Sequence, residues 1–141
     1  MKRKNVKIAL VVLLGLVLCG GTVHQKSDCQ KKAETFLAGV LKGEVDKSYD
    51  ELLLNTLMAS KAQMVKMLKE QTRVGLNMYG ELLGYEFIKQ QKYGDSIVRL
   101  VYVLKLEQHP LTWEFHFYKA ASDWKLANTQ FNDKFDLLSD K

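Results

Sequence analysis

The second half of the chain alternates apolar and polar residues with a period of two, the pattern of half-buried β-strands. Four such segments lie at residues 82–92, 96–108, 111–119 and 124–132. Gly94 and Asp95 form a two-residue hairpin signal because glycine adopts positive φ freely, and Pro110 stops the second segment because it cannot donate to a ladder. The pattern therefore predicts four antiparallel strands, each paired with the next.

The turns predict a register, and both hairpins select the same apolar face. Closing the first hairpin at its glycine sets Phe87 opposite Tyr102, and closing the second at its proline sets Phe117 opposite Tyr102 as well. On the other face the register pairs Lys105 with Glu114, a favourable cross-strand ion pair. The predicted apolar face consists of Leu83, Tyr85, Phe87, Val98, Leu100, Tyr102, Leu104, Leu106, Trp113, Phe115 and Phe117.

The fourth strand has two alternative registers. A four-residue loop places Leu126 against Phe117 and points Asn128 and Gln130 inward. A shift of one residue turns both polar side chains outward, because the side-chain period of a strand is two.

Before the strands, apolar residues recur at helical spacing in three segments. Ser27 with Gln30 and Ser60 with Gln63 predict capping boxes that begin the first and third helices, and Gly43 is placed to end the first. The stripes contain Ala33, Phe36, Leu37, Val40 and Leu41, then Val45, Tyr49, Leu52, Leu53 and Leu57, then Met64, Val65, Leu68, Thr72, Leu76 and Tyr79. The order predicts an α+β fold with three N-terminal helices packed on a four-stranded antiparallel sheet.

Residues 1–21 have the pattern of an export signal, with basic residues first and an apolar run at residues 8–18. The run is shorter than the roughly 18 residues of a membrane span, although counting on to Val23 leaves an uncleaved anchor open. A signal-peptidase site fits before Thr22. Residues 16–19 also resemble a lipobox in which Cys19 is lipidated, but Leu18 is larger than the residue usual before that cysteine.

These features divide the chain into a leader (1–21), a linker (22–26), an α+β domain (27–132) and a tail (133–141). Four of the 21 basic residues lie in the leader and nothing acidic precedes Asp28, so the remainder has 17 basic residues (21 less four) against 16 acidic ones. This balance removes the support that the net charge of +5 gives to nucleic-acid binding. Without the leader, Cys29 has no intrachain partner and is either a tolerated helix residue or an intermolecular bridge.

A family resemblance rests on three stretches: residues 41–46 closing the first helix, Tyr49 soon after, and a strand meander ending in residues 123–126. Together they resemble small exported members of the nuclear-transport-factor-like, or cystatin-like, superfamily over residues 27–132. The resemblance implies a curved sheet wrapped around the first helix to form a cone. It implies no single function, because that superfamily spans ketosteroid-isomerase-like enzymes, dehydratases and non-enzymatic binding domains.

No motif specific to one chemistry is present, and the three histidines have no ligand-like spacing, so we predict neither a metal nor a cofactor. An isomerase of the ketosteroid type needs a carboxylate base inside the cone. The strand register points no acidic residue inward, and nothing directs Asp46 or Asp50 of the helices there. The pattern favours an exported, non-catalytic binding or interaction module of the cell envelope, and a small-molecule isomerase or dehydratase is the alternative.

Two surfaces are candidates for binding. Tyr85, Tyr102, Asn128 and Gln130 are the inward polar groups that could line a pocket for a small apolar ligand, although the tyrosines could equally be core residues. Methionines at positions 58, 64, 67 and 78 allow the same two interpretations. The partner would be such a ligand or an envelope protein, with membrane contact only through the N-terminal segment.

The outward face of the sheet is the second candidate, because an apolar patch on a solvated face often marks an interface. We predict a homodimer through this patch, unless the C-terminal segment with Phe135, Leu137 and Leu138 folds back over it. The patch consists of Ile88, Val101, Val103, His116 and Tyr118.

Overall fold

The computed structural model describes residues 26–138. The predicted leader, its cleavage or retention and the lipidation of Cys19 all concern residues outside this range. Within it, none of the helices combines the length and the apolar character needed to cross a membrane.

Three helices precede a four-stranded antiparallel sheet with strand order β1-β2-β3-β4, which confirms the predicted α+β class. The elements are α1 (Asp28–Leu41), α2 (Val45–Leu52), α3 (Ala62–Met78), β1 (Leu82–Tyr93), β2 (Ile97–Leu106), β3 (Leu111–Lys119) and β4 (Trp124–Asn132), with short 3-10 turns at Met58–Ser60 and Asp136–Leu138.

The predicted start of the first helix is confirmed and that of the third is wrong. The Ser27 hydroxyl accepts a hydrogen bond from the Gln30 amide at 3.2 Å and begins α1. Ser60 instead belongs to the 3-10 turn, where its hydroxyl donates to the Leu57 carbonyl at 2.8 Å. Lys61 stands at the N-terminus of α3 and provides no side-chain cap.

In the first hairpin the predicted pair Phe87–Tyr102 is confirmed, although the turn is not the one expected. The loop has three residues, 94–96, and not two. A bulge at Ile88 restores the predicted pairing beyond it, so Ile88 is not opposite Val101 as expected.

The second hairpin has a different register from the predicted one. Phe117 lies opposite Val98 and not Tyr102, and Glu114 lies opposite Val101 and not Lys105. The predicted ion pair between Lys105 and Glu114 is therefore wrong. Because the offset is even, every residue of β3 keeps the face that was predicted for it.

The connection between β2 and β3 is longer than the predicted turn because the residues after β2 form other hydrogen bonds. The amides of Glu107 and Gln108 donate to the carbonyls of Glu81 and Tyr79 at 3.1 and 3.0 Å. These residues therefore hold the end of the α3–β1 connection, and they are not free to form a tight turn with β3.

The apolar face of the sheet is buried as predicted in β2 and β3 and only partly so in β1. A register shift beside Leu83 turns this side chain outward, where it is exposed, and Phe87 is partly exposed near the sheet edge. An edge strand has one neighbour and fewer partners to cover its side chains.

The fourth strand follows one predicted register in its first part and the other in its second part. Leu126 lies opposite Phe117, but a bulge between Leu126 and Asn128 then reverses the alternation. As a result Asn128 and Gln130 are exposed, and Thr129 is the buried polar residue.

Aromatic side chains fill the space between the helices and the sheet. Phe36 of α1 makes edge-to-face contacts with Trp113 and Phe115 of β3 at ring-centroid distances of 5.3 and 5.7 Å, and with Tyr49 of α2 at 4.9 Å. All four are buried. Such pairs add to the burial of their large apolar areas, so α1 is fixed on the middle of the sheet.

Candidate functional site

The four polar residues predicted to line a pocket do not form one site. Tyr102 is fully buried and Tyr85 is half-buried, both on the sheet face that packs against α1, whereas Asn128 and Gln130 point to the other side. The Gln130 amide donates to the Glu114 carboxylate at 3.1 Å on that side.

Tyr102 is enclosed by rings. Phe87, Phe115 and Tyr85 contact it edge to face at centroid distances of 5.4, 5.9 and 6.2 Å. Its hydroxyl is buried and has no hydrogen-bond partner within the described part of the chain. Burial, and to a lesser degree the charge of Glu34, raises the pKa of Tyr102 well above its ordinary value.

Glu34 of α1 is a carboxylate whose charge acts on both Tyr85 and Tyr102, so it is the acid to compare with the base that an isomerase would need. It is half-buried, and it accepts hydrogen bonds from Lys26 and from the side-chain amide of Gln30, the latter at 3.1 Å. The Tyr85 hydroxyl makes a weak bond of 3.5 Å to the Glu34 carbonyl, and burial raises the pKa of Tyr85. Glu34 was not predicted from the sequence, because the strand residues and the acids of α2 were the candidates for an inward acid.

The acids of α2 lie at the surface. Asp46 binds Arg73 of α3, and the side-chain hydrogen bond from Arg73 is the main reason that the pKa of Asp46 is lowered. Asp50 binds Lys69 at 2.7 Å. Neither carboxylate points to the interior, so both serve to attach α3 to α2.

An open cleft of about 580 Å³ lies between α3 and the β3–β4 side of the sheet. We call it the α3 groove. Its lining is Tyr49, Met67, Leu68, Glu70, Gln71, Val74, Gly75, Trp113, Thr129, Gln130 and Phe131. This volume lies within the range of small-molecule and side-chain binding sites, which are typically apolar with a few polar groups.

One wall of the groove contains Met67, Gln71 and Val74, which belong to a longer stripe of α3 that residues 26–138 leave uncovered and that we call the α3 ridge. It consists of Met64, Met67, Gln71, Val74 and Met78, all exposed. The four apolar members are between 39% and 60% exposed. A separate stripe of the same helix, with Val65, Leu68, Thr72, Leu76 and Tyr79, faces the core. The predicted single stripe is correct for these five and wrong for Met64.

A buried hydrogen bond attaches α3 to α2. The Thr72 hydroxyl lies 2.8 Å from the Tyr49 hydroxyl and donates to the Leu68 carbonyl at 2.9 Å. Because the only hydroxyl proton of Thr72 goes to Leu68, Tyr49 is the donor of the shorter bond. Burial raises the pKa of Tyr49 to about 12, so it keeps that proton at neutral pH.

The floor of the groove is held by Thr129, a residue that was not predicted as part of a site. Its hydroxyl accepts from the Trp113 indole at 2.9 Å and donates to the Glu114 carbonyl at 3.0 Å. Above it, a Cβ at Gly75 would lie 2.7 Å from the Phe131 ring, so glycine permits the close approach of α3 to β4. The inward position of Thr129 follows from the bulge and could not be read from alternation alone.

The other side of the sheet, which we call the back face, carries a buried charge cluster. The Glu114 carboxylate accepts from Arg99 at 2.7 Å and lies 2.9 Å from His116 Nε2. Burial alone would raise the pKa of Glu114, but hydrogen bonds from Arg99 and Gln130 and the nearby positive charge outweigh it and lower the pKa. This cluster lies within the patch for which we predicted a dimer.

The C-terminal segment also lies on the back face. The 3-10 turn Asp136–Leu138 packs against β3, the Thr112 hydroxyl donates to the Lys134 carbonyl at 2.9 Å, and His109 stacks on Phe135 at 5.8 Å. Val101 is fully buried and Val103 half-buried, whereas Ile88 and Tyr118 are exposed. The back-face dimer stays a prediction, on a surface more polar and more covered than the sequence indicated.

Neither Cys29 nor the metal-ligating side chains of residues 26–138 provide a second candidate site. Cys29 is buried in the first turn of α1, and burial raises the pKa of its thiol to about 11, which suits a packing role better than an exposed bridge. Among residues 26–138 no three side chains of the metal-ligating types come together.

Comparison of the chain with protein-family models, curated protein sequences and solved structures gave no match. The α3 groove and the α3 ridge are therefore the candidate site on geometric grounds alone: a mostly apolar cleft beside exposed apolar side chains.

Proposed function

We propose that this chain is an exported, non-catalytic binding module whose binding site is the α3 groove. The observation that carries the proposal is an apolar cleft of about 580 Å³ beside apolar side chains of α3 that residues 26–138 leave exposed. Contiguous exposed apolar surface is costly in water and usually marks a site of interaction. The guest would be an apolar small molecule or an apolar segment of an envelope protein.

Methionine supports this use of the surface. Met67 lines the groove, Met64 and Met78 extend the same exposed stripe beyond it, and unbranched thioethers adjust to guests of different shape. The floor is rigid by contrast, because Trp113 is held by its bond to Thr129. A fixed floor with an adaptable wall suits recognition of an apolar shape.

Binding of the apolar fluorophore N-phenyl-1-naphthylamine tests the site. Val74→Glu should weaken binding about tenfold, because a charge on the groove wall disfavours an apolar guest by about 1.4 kcal/mol. Asn77→Glu is the matched control, because it adds the same charge to an exposed position of the same helix outside the groove lining. Equal binding by both variants would remove the groove from the proposal.

An isomerase or dehydratase is the second candidate, and Glu34 near Tyr85 and Tyr102 is the observation that favours it. It is the weaker proposal because Lys26 and Gln30 bind the carboxylate and rings enclose the Tyr102 hydroxyl. An enzyme of this type would exchange solvent deuterium into an enolisable ketone, and Glu34→Gln would abolish the exchange. No exchange by the unmodified chain would dismiss this candidate.

Export rests on the leader pattern of residues 1–21, with cleavage, retention as an anchor and lipidation at Cys19 as its three outcomes. The intact mass of the protein from its native host distinguishes them, and an unmodified full-length chain in the cytoplasm would contradict export. Membership of the cystatin-like superfamily, with its curved, cone-forming sheet, is likewise a proposal, supported by element order: three helices before a four-stranded meander.

A further inference from the structure

We propose that a second cleft, formed by α1, α2 with the loop after it, and the start of β4, binds a small organic anion that has an apolar body. We call it the lysine cleft. It has a volume of about 310 Å³, and its rim contains Lys31, Lys32 and Lys125. It shares no residue with the α3 groove, so the inference goes beyond the proposed function and does not depend on it.

The floor of the lysine cleft is apolar. Phe36 of α1, Leu52 of α2 and Leu126 of β4 line it, and each of these side chains is at most 9% exposed. Phe36 is held in place by its edge-to-face contact with Tyr49 at 4.9 Å. A cleft of this volume with an apolar floor has room for an aromatic ring or a short acyl chain, which would be the apolar body of the guest.

The charge of the lining selects an anion. Three lysines from two elements line the cleft, and Glu51 is the one acidic residue of the lining. Within residues 26–138, Glu51 forms no ion pair with these lysines, and the partner of Lys31 is Asp28. The positive charge of the rim is therefore not balanced inside the cleft, and a positive potential over an apolar floor attracts a guest with a negative head group.

The three ammonium groups have donors left for a guest. Lys32 donates to the Trp124 carbonyl at 2.8 Å, which holds it at the rim and leaves two of its three N–H groups. The contact of Lys31 with Asp28 is long, at 3.5 Å, and both side chains are exposed. Lys125 forms no hydrogen bond or ion pair with the described residues. Hydrogen bonds from ammonium groups to an anion are about twice as strong as neutral ones.

The loop after α2 supplies another wall in a fixed conformation. Asn55 has a φ of 61°, which asparagine tolerates better than most residues, and the Thr56 hydroxyl donates to the Leu53 carbonyl at 2.6 Å and accepts from the Ala59 amide at 3.3 Å. A wall that is ordered before binding lowers the entropy cost of binding. Asn55 and Lys125 also line two adjoining clefts of about 440 and 470 Å³, so the apolar body can extend beyond the lysine cleft.

Two fluorophores with the same aromatic skeleton test whether the cleft recognises charge. The anion 8-anilino-1-naphthalenesulfonate differs from the neutral N-phenyl-1-naphthylamine by its sulfonate group. In fluorescence titrations of the full chain, Lys31→Gln/Lys125→Gln should weaken sulfonate binding at least about tenfold, because it removes two charged donors and about 1.4 kcal/mol corresponds to tenfold. Binding of the neutral fluorophore should change by less than about twofold, because it carries no charge for the lysines to bind.

Lys42→Gln/Lys92→Gln is the matched control, because it removes the same two charges at exposed positions outside the cleft lining. Sulfonate binding by this variant should stay within about twofold of the unmodified chain, since distant surface charges are screened by salt. Equal losses in the two double variants would overturn the inference, because attraction by net charge predicts that result. All four substituted lysines are exposed, and unchanged circular dichroism should confirm that both variants are folded.

Two further measurements distinguish the lysine cleft from other sites. Loss of sulfonate binding in Val74→Glu, with no loss in Lys31→Gln/Lys125→Gln, would assign the anion to the α3 groove and overturn the inference. The absence of sulfonate binding by the unmodified chain would overturn it as well. Benzenesulfonate should displace the bound fluorophore, and benzyl alcohol at the same concentration should not. Equal displacement by the alcohol would contradict recognition of an anion.

Discussion

Removal of the Tyr49–Thr72 hydrogen bond gives a quantitative test of how α3 is held beside the groove. Thr72→Val preserves shape but leaves the Tyr49 hydroxyl, which is fully buried, without its acceptor at 2.8 Å. An unsatisfied buried hydroxyl costs about 1–3 kcal/mol, so we expect a loss of about 2 kcal/mol in the free energy of unfolding. Tyr49→Phe removes only the donor and leaves Thr72 bound to Leu68, so it should cost about 1 kcal/mol.

The double variant separates this bond from general packing. With both hydroxyls gone no polar group is left unsatisfied, so Tyr49→Phe/Thr72→Val should cost about 1 kcal/mol, well below the roughly 3 kcal/mol expected if the two changes were additive. Urea unfolding at neutral pH followed by circular dichroism measures all three, with Thr35→Val at an exposed site of α1 as a control within about 0.5 kcal/mol of the unmodified chain. Additive losses would refute the bond as the attachment of α3.

Two further predictions concern the sheet. Phe115→Ala should destabilise by about 3–5 kcal/mol in the same urea assay, because the ring is fully buried between the sheet and α1, whereas Tyr118→Ala at an exposed position of the same strand should change stability little. A loss below about 1 kcal/mol for Phe115→Ala would contradict the assigned core face. The lowered pKa of Glu114 stabilises the fold above the ordinary carboxyl pKa of 4.5, and this contribution should be lost as the pH falls below 4.5 through the lower folded pKa. Glu114→Gln should flatten that part of the stability–pH curve, and an unchanged slope would contradict the role of the Arg99 pair.

The sequence alone determined the class of fold and most of the core. Strand alternation identifies Trp113, Phe115 and Phe117 as buried, and helical spacing does the same for Phe36. Both patterns can be recognised from neighbouring residues, because they show which side of a strand or helix is apolar and must be buried. The cap at Ser27 was also predictable, since it is a bond between residues three apart. The side of the sheet on which each β3 residue lies was predicted correctly, although the residue of β2 that it pairs with was not.

Strand register and the site were decided by the tertiary structure. A bulge at Ile88 and another between Leu126 and Asn128 set which polar residues face inward, and their positions depend on how the whole sheet closes rather than on local propensity. The α3 ridge was not predicted for a related reason. The apolar residues of α3 cover an arc wider than one stripe, and the sequence pattern alone predicts that the whole arc is buried. The tertiary contacts of α3, among them Thr72 with Tyr49 and Gly75 with Phe131, fix its rotation and thereby decide which part of that arc stays exposed.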